Sequence, residues 1–336
     1  MAVQSRARIP HARVIAGAMV ALLALVLLVV LRRLLPNESN SSGLTAPSRS
    51  DSTPVPGRPT TRPLAIPDTL FGRSRAVRFA ALSAADADAL GVLDALGDSI
   101  LLKPRTLTVQ AGDEPFHLFI IRPFGQKRGE MLGSYRLGWW PAERWMMAEN
   151  YLNPDGFVEV QLENIETRLS AHFRLGDFLT HDQQQTWPKY VALEERLIDK
   201  LELVLAELRA QGIDDRRVVV LSGFRAPYYN DLRINEGAAR ASRHQFGDAA
   251  DLIIDADGDG QMDDLNRDRR HDMRDLNAIG AAVAAVEQKY PELIGGLGTY
   301  AAMGPSGPFA HIDVRGTSAR WERANAERRD TSSRKR

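Results

Sequence analysis

The sequence predicts a mixed α+β fold, and two kinds of pattern support this class. Residues 190–211 carry leucine and valine at spacings of three and four, which is typical of an amphipathic helix. Elsewhere, short runs of apolar or alternating residues are separated by Gly, Pro, Asp and Asn, which is typical of strands. The chain of 336 residues is long enough for one or two domains with appended segments.

Composition excludes several classes of function. The chain has 43 basic and 43 acidic residues and therefore no net formal charge, so nothing in its charge predicts nucleic-acid binding. There is no cysteine, which excludes disulfides and thiolate metal sites. Any bound metal must be held by His, Asp or Glu.

The N-terminal region predicts a membrane anchor. Residues 1–13 contain three arginines and no acid, and we expect them to be cytoplasmic. Residues 14–31 form an apolar run of 18 residues, about the minimum for a transmembrane helix. A cleaved signal peptide is the alternative, but Arg32 and Arg33 follow directly and no Ala-x-Ala site appears. The sequence therefore favours a single-pass protein of the cell membrane, with its remaining domains on the extracytoplasmic, periplasmic side.

Residues 32–67 are rich in Ser and Pro and predict a disordered tether.

Residues 68–168 predict a small, mainly β module that begins with a helix over 84–96. Its expected strands are Ser99–Leu102, Leu107–Val109, Phe116–Ile121, Met131–Leu137 and Phe157–Leu162. For Trp139, Trp140 and Trp145 we favour a role as core filling over stacking on sugars.

Residues 169–321 predict a second domain, followed by a disordered tail over 322–336. Its expected elements are a helix over Tyr190–Gln211 capped by Gly212, a strand over Arg217–Leu221 buried on both faces, a helix over Asp275–Tyr290, and two final strands over Gly295–Tyr300 and Phe309–Arg315.

Two histidines and an aspartate of this domain form a candidate metal site. Side chains alternate along a strand, so His311 and Asp313 are expected on the same face of the final strand. His244 is expected in a loop, and Asp251 at the start of a strand seven positions later. Two His and one Asp supply three protein ligands, the number that a catalytic zinc ion needs when its fourth position is open to water.

The motifs around these residues resemble those of a known family. They are Ser242-x-His244-x-x-Gly-x-Ala-x-Asp251, an upstream Ser-Gly-Phe-Arg225-x-Pro-x-x-Asn, and a downstream Gly-Gly-Leu-Gly-x-Tyr and Phe-x-His311-Ile-Asp. Together they resemble the bacterial zinc D-Ala-D-Ala carboxypeptidase and murein endopeptidase family, whose fold hedgehog signalling domains share. The resemblance covers roughly residues 170–321 and implies a small, mostly antiparallel sheet with packed helices.

The resemblance also implies roles for individual residues. His244, Asp251 and His311 would be the zinc ligands. Arg225 would pair with a carboxylate of the peptide stem, which suits its forked guanidinium. Ser242 would lie beside the substrate.

The general base is less directly indicated. Many family members have Glu or Asp three residues before the last histidine, where this chain has Pro308. We predict Asp313 as the base, because it shares a strand face with His311. Two alternatives stay open: Asp313 is a ligand and His311 the base, or Asp313 only orients a ligand histidine.

A calcium-binding loop is predicted next to the zinc motif. Asp255, Asp257, Asp259 and Asp263 occupy positions 1, 3, 5 and 9 of a calcium-loop pattern with glycine at position 6. The twelfth position is Asn266 instead of the usual Glu, which predicts low affinity. The alternatives are a solvated acidic turn, or neutralisation by three nearby arginines: Arg267, Arg269 and Arg270.

These observations predict a membrane-anchored zinc metallopeptidase that hydrolyses D-amino-acid-containing peptide bonds of peptidoglycan stems or cross-links, as an endopeptidase or a carboxypeptidase. Peptidoglycan is the expected partner, with Zn²⁺ as cofactor and Ca²⁺ as a possible structural ion. Two alternatives are a catalytically inactive peptidoglycan-binding module and a membrane-tethered scaffold. A serine hydrolase is disfavoured, since no Gly-x-Ser-x-Gly motif occurs.

Overall fold

The computed structural model describes residues 66–91, 106–301 and 306–323. The chain divides into two units, residues 1–60 and 61–336, and all described residues lie in the second. The predicted cytoplasmic segment, anchor, most of the tether and most of the tail lie outside the described residues, as does the strand predicted over 99–102. Within the described ranges, no helix is long and apolar enough to cross a membrane.

The predicted mixed α+β class is confirmed. The helices of the described ranges are α1 (Ala84–Ala89), α2 (Pro141–Arg144), α3 (Glu195–Ala210), α4 (Pro227–Arg233) and α5 (Leu276–Lys289). The strands are β1 (Phe79–Leu82), β2 (Thr106–Ala111), β3 (Glu114–Ile120), β4 (Arg122–Pro123), β5 (Met131–Leu132), β6 (Tyr135–Arg136), β7 (Gly156–Val160), β8 (Lys189–Val191), β9 (Val218–Ser222), β10 (Ala249–Ile254), β11 (Gly296–Tyr300), β12 (Phe309–Asp313) and β13 (Ala319–Arg323).

A five-stranded sheet in the order β13-β11-β12-β10-β9 carries the candidate site. Its neighbours are antiparallel except for β11 and β13, which are parallel. Small and apolar side chains such as Ala250, Ala310 and Ile312 point from one face into the core. Helix α5 packs against β11 and β12, and α3 packs against α5. Because side chains alternate along a strand, the opposite face of the sheet is available for polar groups.

A second, three-stranded sheet (β1-β3-β2) lies near the beginning of the described residues. Phe79 and Phe119 belong to the main core, whereas Leu82, Leu118 and Ile120 belong to a small separate cluster. This sheet therefore buries apolar side chains on both faces. The main core runs from Val77 to Val314, so both sides of the predicted boundary at residue 168 contribute to it.

Trp140 connects the two parts of this core. Its side chain is fully buried and lies against three aromatic rings, at centroid distances of 5.2 Å to Phe124, 5.3 Å to Phe157 and 6.5 Å to Phe224. Its indole Nε1 donates a hydrogen bond of 2.8 Å to the backbone oxygen of Gln245. Core filling is thus confirmed for Trp140, but it is wrong for Trp139 and Trp145, which are 37% and 49% exposed.

Several predicted element boundaries are wrong. Helix α3 begins at Glu195 instead of residue 190, because Lys189–Val191 pairs with β7 as a strand. Strand β9 is only half-buried, because it is the edge of its sheet. β12 is not the final strand, since β13 follows it and pairs with β11.

We expect Trp140→Ala to lower the free energy of unfolding by about 3–5 kcal/mol, the usual effect of removing a large core aromatic residue. Because Trp140 belongs to a core shared by residues on both sides of position 168, denaturant unfolding should remain one transition. The matched control, Trp145→Ala, should stay within about 0.5 kcal/mol of the parent. A two-step transition in Trp140→Ala, with the second step unshifted, would contradict a shared core.

Candidate metal centre

One row of residues crosses all five strands of the larger sheet. Asp251 on β10 pairs with Ser222 on β9 and with His311 on β12. Gly298 on β11 pairs with His311 and with Trp321 on β13. Residues paired across strands project from the same face of a sheet. The strand register therefore brings Asp251 and His311 together although they are 60 positions apart in sequence.

His244 reaches this row from a short turn. It lies in a single 3-10 turn, Arg243–Phe246, which ends at Gly247 with φ of +74°. A side chain at Gly247 would meet the Ala192 backbone oxygen at 2.2 Å, so glycine is required there both by conformation and by space. The backbone oxygen of His244 accepts from the Arg225 amide at 3.0 Å. These contacts hold the imidazole over the sheet.

Three atoms converge at the candidate metal centre. His244 Nε2 lies 3.2 Å from Asp251 Oδ1 and 3.1 Å from His311 Nδ1, and His311 Nδ1 lies 2.9 Å from Asp251 Oδ1. A tetrahedral ion with ligand bonds of about 2.0–2.1 Å keeps its ligand atoms about 3.3 Å apart. The triad therefore has the donor types and nearly the spacing that such an ion needs, and it could hold a metal ion.

In each histidine, the ring nitrogen that points away from the triad is held by a hydrogen bond. His244 Nδ1 donates to the Gly223 backbone oxygen at 2.7 Å, and His311 Nε2 donates to Asp313 Oδ2 at 3.1 Å. The other ring nitrogen of each histidine therefore faces the centre, where it offers a lone pair when the imidazole is neutral. Metal-binding histidines are usually held by a carbonyl or carboxylate in this way.

The electrostatic environment affects the three residues of the triad differently. Burial lowers the pKa of His244 and keeps it neutral. Burial alone would raise the pKa of Asp251, but His244 and His311 hold it well below its usual range, so it is a carboxylate. Burial would lower the pKa of His311, but hydrogen bonds to Asp251 and Asp313 outweigh it and raise the pKa to about 9.

Asp313 lies behind the triad, away from the cavity. It is fully buried and accepts hydrogen bonds from the Gly296 amide at 2.7 Å, from the Arg315 amide at 3.1 Å, from the Arg315 guanidinium, and from His311. It is not among the residues that line the cavity. A carboxylate with all its acceptor sites occupied by the protein does not reach a water molecule, so the geometry favours orientation of His311 over the role of a general base.

A cavity of about 600 Å³ opens over the triad. The predicted substrate residues Arg225 and Ser242 both line it, together with His244, Asp251 and His311. Arg225 Nη2 donates to Ser222 Oγ at 3.0 Å and lies 3.6 Å from Asp251 Oδ2. The structure therefore brings five of the six predicted zinc-site and substrate residues to one cavity and places Asp313 outside it.

Other cavity residues were not predicted from sequence. They include His181, Arg233, Tyr300, Trp321 and Arg323. His181 has no hydrogen-bond partner among the described residues; partial burial, Arg225 and Arg233 lower its pKa. Only Tyr300 had a signal in the sequence, as the last residue of the Gly-Gly-Leu-Gly-x-Tyr motif. The others come from separate segments, which only the fold brings together.

The acidic loop forms a second cluster. Oxygens of Asp255, Asp257 and Asp263 lie within 4.8 Å of one another, whereas Asp259 is not part of this group. Asp255 is fully buried and accepts from the Gly260 amide at 3.2 Å. Arg217 Nε lies 3.4 Å from its carboxylate, so the nearest cation is not one of the three arginines predicted from sequence.

Asn266 and Arg267 of this loop make other contacts. The side-chain oxygen of Asn266 accepts from the Asp268 amide at 2.9 Å. Arg267 donates to the backbone oxygen of Gly212 at 2.8 Å. Calcium binding stays a prediction of the sequence.

Comparison with known proteins finds no match for this chain. No protein-family model, curated protein or solved structure matches the chain. The family resemblance therefore still rests on the sequence motifs.

We expect the affinity for a divalent transition metal to rise with pH. His311, with a pKa raised to about 9, is protonated at neutral pH and must lose that proton to bind metal. One released proton gives roughly a tenfold gain in affinity per pH unit below that value. Zinc titration between pH 6 and pH 8 checks this slope. The control variant His117→Ala, on the remote strand β3, should show the same slope of affinity against pH. An affinity of the parent protein that does not change with pH would contradict the protonation of His311.

We expect Asp313→Asn to weaken zinc binding by about 10–100-fold, because a neutral amide holds the His311 ring less firmly. The measurement is a competition titration with a metal chelator. Asp199→Asn, a buried aspartate that accepts from the Arg73 and Ser74 amides outside the cavity, is the control and should retain affinity. Unchanged affinity in Asp313→Asn would contradict the positioning role and return Asp313 to the role of general base.

Proposed function

We propose that this protein is a zinc metallopeptidase that hydrolyses peptide bonds in peptidoglycan stem peptides or cross-links. One observation carries the proposal. His244 Nε2, Asp251 Oδ1 and His311 Nδ1 converge within 3.2 Å of one another at a cavity that Arg225 also lines. A triad of two histidines and a carboxylate that leaves a position open to the cavity is typical of catalytic zinc sites in hydrolases.

Zinc fits this donor set better than calcium or magnesium does. Imidazole nitrogen suits zinc, copper, iron and nickel, whereas calcium and magnesium prefer oxygen ligands. When bound, zinc polarises the scissile carbonyl and lowers the pKa of its water to about 7. The motif resemblance to D-Ala-D-Ala peptidases supports the same ion.

The chain's own residues would orient the substrate. Arg225 presents a guanidinium to the cavity, where it can bind a substrate carboxylate bidentately. Its position is held by Ser222 and by the backbone bond to His244. Ser242, at the start of the turn that carries His244, would lie beside the same peptide. Asp313 holds the His311 ring in the orientation that directs Nδ1 to the centre.

An inactive peptidoglycan-binding module is the second candidate, and the surroundings of Asp313 favour it. Outside the triad, Glu236 is the one carboxylate among the described cavity-lining residues, and it is paired with Arg233. The position where related peptidases have an acid is Pro308. A site with zinc but without a carboxylate base would bind a peptide and not cleave it.

The N-terminal sequence supports a location of this activity at the membrane surface. We propose that an anchor over residues 14–31 and a tether over 32–67 hold the peptidase on the periplasmic side, within reach of the wall. Calcium at Asp255, Asp257 and Asp263 would stabilise the loop that follows β10.

We expect the zinc-loaded full chain to convert purified muropeptides, with loss of a terminal D-alanine or splitting of a cross-link. Mass spectrometry of the products identifies the bond. His244→Ala should abolish conversion because it removes a ligand, whereas His271→Ala, whose imidazole bonds to the Met262 backbone oxygen, should not. Unchanged muropeptides in the presence of bound zinc, together with retained peptide binding, would favour the inactive module.

A further inference from the structure

Tyr300 is held in one orientation beside the candidate metal centre. It is the last residue of β11 and is paired with Phe309 on β12. The two rings are stacked with centroids 4.7 Å apart and an angle of 3° between their planes. Tyr300 lies two positions along β11 from Gly298, the strand partner of His311, so it projects from the same face of the sheet as the triad.

The hydrogen bonding of Tyr300 leaves its proton available. Trp321 Nε1 donates to the Tyr300 hydroxyl oxygen at 2.8 Å. An indole N–H can only donate, so the phenol is the acceptor in this bond. Among the described residues, no group accepts the Tyr300 O–H, and the side chain lines the cavity. The phenol therefore presents an unused donor to the space where a substrate would lie.

Burial keeps Tyr300 a donor, because it is the largest influence on the pKa of the phenol and raises it. The hydrogen bond from Trp321 lowers this pKa, the Asp251 carboxylate raises it, and Arg323 and Arg225 lower it. The phenol therefore stays protonated at neutral pH.

Peptide hydrolysis needs a donor of this kind. The water oxygen bonds to the carbonyl carbon, and the carbonyl oxygen takes up negative charge in the tetrahedral intermediate. The C–N bond then breaks, the carbonyl is restored, and the amine leaves with a proton that originates from the water. Donors positioned in advance on that oxygen stabilise the transition state more than the substrate.

We propose that the Tyr300 hydroxyl is a catalytic hydrogen-bond donor to this oxyanion, and that Trp321 is a positioning residue that acts through Tyr300. The proposal rests on the proposed peptidase function and adds a residue to it. Arg225 is assigned to a substrate carboxylate in the proposed function, whereas the Tyr300 O–H lines the cavity without a described acceptor and is available for the oxyanion.

The first test is steady-state kinetics of the zinc-loaded full chain on the muropeptide that it cleaves. Tyr300→Phe keeps the ring and its stacking on Phe309 but removes the donor. Loss of one oxyanion donor lowers kcat by about 100–1000-fold, and we expect this with little change in KM or in zinc content. Tyr290→Phe, which lies outside the cavity lining, is the matched control and should retain full activity.

Trp321→Phe separates positioning from direct catalysis. It removes the N–H that orients the phenol, so kcat should fall less than in Tyr300→Phe. The double variant should be no slower than Tyr300→Phe alone, because Trp321 acts through the hydroxyl that is already missing. Additive losses in the double variant would overturn the role of Trp321.

A binding measurement gives a readout that does not depend on turnover. A phosphinate analogue of D-Ala-D-Ala imitates the tetrahedral intermediate, whereas the planar peptide imitates the substrate. Tyr300→Phe should lose about 100-fold or more affinity for the phosphinate and little for the peptide. Equal changes for both ligands, or none, would overturn the proposal.

The outcomes separate the two proposals. If the wild-type chain with bound zinc cleaves muropeptides and Tyr300→Phe is equally fast, the peptidase function stands and the role of Tyr300 is overturned. If the wild-type chain does not cleave, the peptidase function is overturned, and the role of Tyr300 falls with it.

Discussion

The antiparallel register of β10 and β12 places Asp251 directly opposite His311, and the candidate site depends on this pairing. A shift by one residue would turn either side chain to the opposite face, where Ala310 and Ile312 pack into the core. The apolar face resists such a shift, because the wrong register would expose Ala310 and Ile312 and would bury charged side chains in the core. The hydrophobic core thus holds the candidate metal ligands in place.

A buried ionic network supports the end of β12. Lys200 on α3 is fully buried and donates to Glu287 at 2.7 Å and to the backbone oxygen of Asp313 at 2.8 Å. Glu287 also accepts from the Gly295 amide at 3.0 Å and from Arg320. Burial of charges is unfavourable unless each is paired and hydrogen-bonded, and here each of them is. The network connects both long helices to the strand that carries His311 and Asp313.

The cavity has a strongly cationic lining. Five arginines border it: Arg225, Arg233, Arg243, Arg315 and Arg323. Four of them are paired with carboxylates, Arg225 with Asp251, Arg233 with Glu236, Arg243 with Asp248 and Arg315 with Asp313. Arg323 contacts the backbone oxygen of Gly237 and has no carboxylate partner among the described residues. This surplus of positive charge supports a substrate with carboxylates, as the proposed stem peptides have.

The sequence by itself determined the α+β class, the ligand candidates and the separation of a polar from an apolar face on β12, because side-chain chemistry and strand alternation are local properties. Only the tertiary structure decided the contacts of Asp313, since sharing a face with His311 does not reveal that Gly296 and Arg315 occupy its oxygens. The positions of Tyr300 and Trp321 at the cavity were likewise decided by strand pairing across the sheet, a long-range contact that depends on the packing of the whole core.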